Sequence, residues 1–138
     1  MQFNIGIAGC TAAELAVFRR DWLRPPTGEV ILASLQRMDP VITARDPASG
    51  TLAGFACGFT DYRLIAYLWD LAVLPAYREQ RLEGILIERF VAACGAVYQI
   101  NAHPNLEHAV FFEAAGFTSY PARHAIPMTI QDYTRQAG

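Results

Sequence analysis

The chain has 138 residues, of which 53% are hydrophobic and 17% are charged, and its formal net charge is −2 at pH 7. That length predicts one domain over residues 1–138, and the apolar content is too high for a disordered chain. All eleven basic residues are arginines, which excludes mechanisms that need a lysine, and no basic block interleaves with aromatic residues, which argues against a nucleic-acid partner.

The N-terminal part of the chain predicts a strand followed by two helices. Apolar and polar residues alternate over Phe3–Ala8, as in a half-buried strand. Thr11 is followed three residues later by Glu14, a capping-box pattern that predicts the start of a helix. The segment Arg24–Pro26 is expected to end that helix, and a second helix is predicted from about Thr27 to Arg37.

The middle of the chain predicts three strands separated by turn residues. These strands are Val41–Arg45, Thr51–Thr60 and Leu64–Val73. The last of them is the most apolar, so we expect it at the centre of the sheet. Within it, strand alternation places Tyr67 and Trp69 on one face and Leu68 and Asp70 on the other.

The remaining part of the chain predicts two helices and three strands. The helices are expected at about Gln80–Cys94 and from Asn105 to about Ala115, and the strands at Ala96–Ala102, Phe117–Tyr120 and Ala125–Ile130. A hairpin run followed by strand-helix-strand segments is typical of a mixed sheet with helices on its faces. The predicted fold class is therefore α/β, in the layered α+β sense.

The cysteines and histidines give no sign of a disulfide or metal site. Cys10, Cys57 and Cys94 are widely spaced and odd in number, which is typical of buried free thiols in a reducing compartment. The histidines, at positions 103, 108 and 124, lack metal-ligand spacing. No window contains the roughly 18 consecutive apolar residues of a membrane span, and the N-terminus does not resemble a signal peptide. We expect a cytoplasmic protein with no metal and no membrane contact.

The strand-loop-helix segment after Asp70 is the strongest candidate for a functional site. A loop that opens a helix presents unpaired N–H groups and the positive end of the helix dipole, which suits a phosphate group. An ordinary strand-to-helix turn with a solvated charged face is the alternative.

Two motifs give this segment a more specific interpretation. The spacing V-x-P-x-[YF]-[RQ]-x-x-G-x-[GA] is matched in part by Val73, Pro75, Tyr77 and Arg78. The spacing N-x-x-A-x-x-x-Y-E-x-x-G-F is matched in part by Asn105, Glu113, Gly116 and Phe117. Through these motifs and the order of its elements, the chain resembles the GNAT acyltransferase superfamily, whose members transfer an acyl group from acyl-CoA to an amine.

The resemblance implies both a fold and a reaction. The fold is a mixed, mostly antiparallel sheet of six to seven strands flanked by about four helices. The reaction is transfer of an acyl group, most simply from acetyl-CoA as cosubstrate, to a primary amine of a small molecule or peptide. The amine would attack the thioester directly in a ternary complex. The resemblance also implies that the chain can form a homodimer.

The resemblance also assigns roles to residues of this chain. Asp70 would be the general base, although it could instead cap a turn or pair with Arg63 or Arg123. Asn105 and Phe112 would contact the CoA arm. The pantetheine would enter a gap between the strands Leu64–Val73 and Ala96–Ala102 and pair with the backbone of Leu71, Ala72 and Val73. The pyrophosphate would be held by the N–H groups of Arg78, Glu79, Gln80, Arg81, Leu82, Glu83 and Gly84.

This chain departs from the family pattern at four positions, one of which is His108 in place of a small alanine. Arg81 and Glu83 replace the two loop glycines, so Glu83 would bring a negative charge toward the phosphates, whereas Arg81 could bind them. Phe112 replaces the tyrosine that protonates the departing thiolate, which leaves Tyr98, Tyr120 or water as the proton donor. These departures motivate two other hypotheses. One is a binding or regulatory module that senses acyl-CoA or binds a protein without turnover, and the other is a pocket for an unrelated small molecule.

Overall fold

The structure is a computed structural model that describes residues 1–119. The strands and helices of this part of the chain follow one another in the predicted order. The strands are β1 (Gln2–Ile5), β2 (Val41–Arg45), β3 (Leu52–Thr60), β4 (Ile65–Val73) and β5 (Gln99–Ala102). The helices are α1 (Ala12–Val17), α2 (Gly28–Leu35), α3 (Leu82–Cys94) and α4 (Ala109–Ala114), with 3-10 helices at Pro75–Gln80 and Leu106–His108.

The strands form one sheet in the order β1-β2-β3-β4-β5. Neighbouring strands are antiparallel except for β4 and β5, which are parallel. The predicted mixed and mostly antiparallel sheet is thereby confirmed, with five strands in residues 1–119 rather than six to seven. Of the two further predicted strands, Ala125–Ile130 lies outside the described residues and Phe117–Tyr120 extends beyond them.

The sheet is covered on both faces. On one face α3 packs against the sheet through Leu82, Leu86 and Phe90, each of which is at most 1% exposed. On the other face, Leu15 and Leu35 from the first two helices pack against Phe55 of β3. The core therefore consists of two layers of apolar side chains with the sheet between them.

A β-bulge in β4 changes which side chains share a face. Cys57 of β3 lies opposite Asp70, but the next residue, Gly58, lies opposite Leu68, so Trp69 is the extra residue. Leu68 consequently faces α3, whereas Asp70 lies with Cys57 on the face covered by α1 and α2. The prediction that Leu68 and Asp70 share a face was wrong, because simple alternation does not allow for the inserted residue.

The first two helices begin where their capping residues predicted. Thr11 and Glu14 form the capping box, in which each side chain accepts a hydrogen bond from the other residue's backbone N–H. Thr27 caps α2 by accepting from the N–H of Val30. However, α1 ends at Val17, well before the expected stop at Arg24–Pro26, so Arg19 and Trp22 lie in the connection between the helices.

The segment before α3 differs from its prediction. A 3-10 helix replaces the expected first turn, and α3 begins at Leu82 rather than Gln80. Between the two helices, Arg81 has a φ of 54°, in the left-handed region that glycine adopts more easily. Arg81 therefore keeps the conformation that favours a glycine in the family motif. None of the helices in residues 1–119 is long and apolar enough to cross a membrane.

Candidate active site

A gap opens in the sheet where β4 continues beyond the end of β5. The two strands pair over four positions, from Ile65 opposite Gln99 to Leu68 opposite Ala102. β4 then runs on to Val73, whereas β5 has ended. From Trp69 onward, β4 has no strand partner on this side among residues 1–119. The bulge at Trp69 lies where the pairing stops, and bulges bend the strand that carries them.

The backbone of β4 presents hydrogen-bonding groups to this gap that pair with no other strand in residues 1–119. The N–H of Leu74 donates to the carbonyl oxygen of Ala53 on β3 at 2.9 Å. Because backbone groups alternate in direction along a strand, Ala72 also points its N–H and C=O toward β3, whereas Leu71 and Val73 point theirs toward the gap. Of the three residues expected to pair with the pantetheine, the geometry therefore favours Leu71 and Val73 over Ala72.

The gap leads into a cleft of about 160 Å³. Side chains from the end of β4 form one wall, and the segment after β5 and helix α4 form the other. The lining residues are Leu68, Trp69, Asp70 and Leu71 of β4, His103, Pro104, Asn105 and His108 after β5, and Trp22 and Phe112. The structure thus brings together four predicted site residues from two distant parts of the sequence: Asp70, Leu71, Asn105 and Phe112.

Asp70 is held at the cleft by an ion pair with Arg19. The guanidinium Nη2 of Arg19 contacts Oδ2 of Asp70, and the arginine is only 8% exposed. The same guanidinium lies 4.6 Å from the centre of the Trp22 ring. Asp70 therefore has an arginine partner, but neither of the two arginines proposed for it. Arg63 lies at the β3–β4 turn, and Arg123 lies outside the described residues.

A second polar pair, Tyr67 and His103, lies beside the cleft. The Tyr67 hydroxyl is hydrogen-bonded to Nδ1 of His103, and the two rings are 5.5 Å apart. Burial raises the pKa of Tyr67, so its hydroxyl stays protonated at neutral pH. Neither residue belongs to the two motifs, so their hydrogen bond was not predicted from the sequence. Register could have done so, because Tyr67 lies opposite Asn101 and His103 is on the same side of the chain two residues later.

The second motif supplies the opposite wall of the cleft. Phe112 is 4% exposed and packs edge-to-face against Phe117 at 5.2 Å between ring centres. His108 lines the cleft one helical turn before Phe112, and its Nε2 lies 3.7 Å from a Glu107 oxygen. Of the proposed proton donors, Tyr98 is 83% exposed and does not line the cleft, and Tyr120 lies outside the described residues.

The loop expected to hold the pyrophosphate is anchored at its start. The Tyr77 hydroxyl donates to Oδ2 of Asp46, in the β2–β3 turn, at 3.0 Å. The N–H of Ala48 and this hydroxyl lower the pKa of Asp46, which keeps it ionised. The side chains of Arg78 and Arg81 are exposed on the loop. The tyrosine of the first motif therefore fixes the loop to the sheet.

Glu83, whose negative charge was expected near the phosphates, is a buried residue of α3. It is 2% exposed and belongs to the buried side of α3, with Leu86, Ile87 and Phe90. Its Oε2 atom has no hydrogen-bond partner within residues 1–119. The carboxylate is therefore buried in the first turn of α3 and is not exposed on the loop surface.

The thiols are free, as predicted. Cys57 and Cys94 are buried, and burial raises the pKa of Cys57 to about 12 and that of Cys94 to about 11. Cys10 is partly exposed, and its pKa is also raised by burial. In the described part of the chain, no group of three histidine, cysteine or acidic side chains is placed to hold a metal ion.

Comparison with known proteins gives a consistent result. The model of the acetyltransferase (GNAT) family matches residues 9–117. GCN5-related N-acetyltransferase 3, chloroplastic, of Arabidopsis thaliana is 33% identical over 73 residues, which are 51% of this chain and 31% of that protein. The matched region thus spans about a third of that curated relative.

Solved structures share the fold over nearly the whole chain. A Deinococcus radiodurans R1 protein assigned as an acetyltransferase has a TM-score of 0.84 at 29% identity, covering 99% of this chain and 92% of that one. A GNAT-family acetyltransferase of Streptococcus pneumoniae TIGR4 has a TM-score of 0.76 at 15% identity, covering 96% and 98%. Glucosamine-6-phosphate N-acetyltransferase of Arabidopsis thaliana has a TM-score of 0.70 at 14% identity, covering 95% and 99%.

Proposed function

Since the chain belongs to the acetyltransferase (GNAT) family, as its two motifs predicted, we propose that it transfers an acetyl group from acetyl-CoA to a primary amine of a small molecule or peptide. The observation that carries this proposal is the gap beside the end of β4, which opens into a cleft containing an acidic side chain, Asp70. The amine and the thioester would react directly in that cleft.

The gap suits an extended arm that carries amide groups, as pantetheine does. Leu71 and Val73 offer backbone donors and acceptors on the side where β5 has ended, so the arm could add to β4 as a short strand. Asn105, on the other side of the cleft, offers a side-chain amide. Phe112 supplies an apolar wall there. These residues can bind and orient the arm.

The loop offers positive charge to a pyrophosphate. Arg78 and Arg81 are exposed beside the first turn of α3, where the backbone N–H groups and the helix dipole favour an anion. Glu83, the source of the expected repulsion, is buried in that same first turn, so its charge still opposes the phosphates. Arginine can bind phosphate through two parallel hydrogen bonds. We propose that these arginines compensate for the missing glycines.

Asp70 is proposed to bind the ammonium group of the acceptor. One of its oxygens is occupied by Arg19, and its side chain is still 25% exposed. Trp22 and Trp69 line the same cleft and are 54% and 60% exposed, so they offer apolar surface to the body of the amine. The role of general base, which the resemblance assigns to Asp70, stays a prediction.

Phe112 cannot protonate the leaving thiolate, since its ring carries no ionisable proton. We propose that water in the open cleft does so, because a thiolate is a fair leaving group. Because Phe112 stands in place of the motif tyrosine, we also consider a second function, in which the chain binds acyl-CoA without turnover and acts as a sensor.

Calorimetry with acetyl-CoA, followed by thiol release over a panel of primary amines, tests the proposal. Wild-type protein is expected to bind and to release CoA with at least one amine. Replacing both loop arginines, Arg78→Ala with Arg81→Ala, should weaken binding, whereas Arg37→Ala, exposed after α2, should not. Binding without release would favour the sensor. Absence of binding at millimolar acetyl-CoA would overturn both functions.

Two further proposals concern the setting of the protein. We propose a cytoplasmic location, supported by the free and partly exposed thiol of Cys10, since such thiols persist in reducing compartments. We also propose a homodimer on the basis of the family resemblance. Light scattering of the purified chain measures its mass in solution and tests the second proposal.

A further inference from the structure

We propose that His103, and not Asp70, accepts the proton that the acceptor amine must lose, with Tyr67 as the residue that positions it. This inference rests on the proposed function. It follows from the hydrogen bond that holds the imidazole, from the ion pair that occupies Asp70, and from the place of both groups on one cleft.

One nitrogen of the His103 imidazole, Nδ1, is hydrogen-bonded to Tyr67, and the other, Nε2, is the candidate proton acceptor. Nδ1 of His103 is engaged by the hydroxyl of Tyr67, and the ring lines the cleft. When Nδ1–H donates to the Tyr67 oxygen, Nε2 carries the lone pair and is free to take a proton from a cleft ligand. Tyr67 is itself packed beside Trp69, at 6.5 Å between ring centres, which restricts its motion. This arrangement of a base oriented by a second group is typical of catalytic sites.

Asp70 is poorly placed to take the proton. Its Oδ2 contacts Arg19, whose side chain is only 10% exposed. If the carboxylate became neutral, the guanidinium would keep its charge in a buried place without a counter-charge, which is strongly unfavourable. The carboxylate therefore stays ionised and serves to attract the substrate's ammonium group. His103 has no such constraint, because the group it contacts is an uncharged hydroxyl.

The proposed reaction moves two protons from the acceptor nitrogen and one electron pair from the C–S bond. The acceptor enters as an ammonium ion and gives one proton to Nε2 of His103. The freed lone pair on nitrogen forms the new C–N bond at the thioester carbonyl while the C–S bond breaks and its electrons leave with sulfur. The second nitrogen proton ends on the thiol through water, and His103 returns its proton to solvent. No oxidant, reductant or further co-reactant is needed.

The other titratable groups around His103 are few in the described part of the cleft. From β4 they are Tyr67 and Asp70, the latter paired with Arg19. From the segment after β5 the group is His108, which lies 3.7 Å from Glu107. His108 is a second imidazole in the same cleft without a tyrosine partner, so it is the matched control for His103.

The test combines a spectroscopic and a kinetic measurement on the full chain. Imidazole ¹⁵N spectra of the free protein at pH 8 should show His103 protonated on Nδ1 and bare on Nε2, and Tyr67→Phe should weaken that preference. With acetyl-CoA and an amine that the panel identifies, His103→Gln should lower kcat by about 100-fold or more with little change in the amine KM. The acid limb of the kcat/KM pH profile should disappear in this variant.

The control variants give the opposite pattern. Asp70→Asn, assayed at a temperature where its circular dichroism matches that of wild type, should mainly raise the amine KM, and His108→Gln should retain the acid limb. The inference is overturned if Nε2 of His103 carries the proton in the free protein, or if Asp70→Asn loses kcat while His103→Gln keeps it. If wild-type protein binds acetyl-CoA but acetylates no amine, the proposed transferase fails first, and the inference fails with it.

Discussion

Arg19 is a buried charge whose partners decide the chemistry of the cleft. It is 8% exposed, contacts Asp70, and lies against the rings of Trp22 and Phe55. None of this could be predicted from the sequence, because the predicted helix continued to Arg24–Pro26 and so contained position 19. The contact depends on α1 ending at Val17, which releases the chain to bring Arg19 over β4.

The ion pair predicts a specific double-mutant result. Arg19→Met should lower the free energy of unfolding by about 3–5 kcal/mol, because it leaves the Asp70 carboxylate without its partner. Arg19→Met combined with Asp70→Asn should recover most of that loss. Urea denaturation of the single and double variants measures both values. Equal stability of wild type and Arg19→Met would show that the pair contributes nothing.

Glu83 predicts a gain in stability on substitution. Oε2 of Glu83 is buried and has no hydrogen-bond partner among residues 1–119. Such an oxygen costs about 1–3 kcal/mol, so Glu83→Met, similar in shape and apolar, should raise the free energy of unfolding by about that amount. Glu88→Met, at an exposed position of the same helix, should change it by less than about 0.5 kcal/mol. Chemical denaturation measures both, and a destabilised Glu83→Met would mean that the carboxylate has an unrecognised partner.

At the scale of the element, α1 is joined to the sheet through its first turn. Oε1 of Glu14 lies 2.5 Å from Nη1 of Arg45, at the end of β2. The hydrogen bond from Arg45 lowers the pKa of Glu14 below its ordinary value of 4.5, and the N–H of Thr11 adds to the effect. The capping box was predictable from Thr11 and Glu14, whereas the contact with Arg45, 31 residues away, was not.

This contact predicts a pH-dependent loss of stability. A carboxyl whose pKa is lowered by folding stabilises the folded state at any pH above its pKa in the unfolded chain. That contribution is lost as the pH falls through its lower pKa in the folded protein. Glu14→Gln keeps a capping side chain but removes the charge, so it should cost about 1 kcal/mol at pH 7. Urea titrations at pH 7 and near pH 3 should show this difference closing at low pH. A difference that persists at pH 3 would point to packing rather than charge.

The strand β4 shows where prediction from sequence stops. Its apolar run predicted a central strand; β4 lies inside the sheet, between β3 and β5, and the middle strand of the five is β3. The sequence also predicted an apolar stripe of Leu82, Leu86, Phe90 and Ala93 on α3, of which the first three are buried and Ala93 is partly buried. The bulge at Trp69 could not be predicted from the pattern of apolar and polar residues. Aromatic, acidic and apolar residues follow one another there, so the pattern fits a strand with or without an inserted residue. The true face of Asp70 therefore required the structure.

For the molecule as a whole, the proposed function depends on two strands of unequal length. β4 and β5 pair only up to Leu68 and Ala102, which leaves the second half of β4 open beside a cleft. The motifs predicted the divergence through the family resemblance. The place where it begins depends on the bulge and on the short β5, which starts at Gln99 instead of Ala96. Sequence thus indicated the cleft, and the structure supplied the histidine and the ion pair within it.

The most direct test is an NMR titration of the backbone amides of β4 with acetyl-CoA. The N–H resonances of Leu71 and Val73 should move to lower field at saturation, because both gain a hydrogen-bond acceptor in the gap. Ala72, already directed toward β3, should move less and is the internal control. If millimolar acetyl-CoA leaves Leu71 and Val73 unchanged, or shifts only residues away from β4 and the loop, the cleft is not the acyl-CoA site.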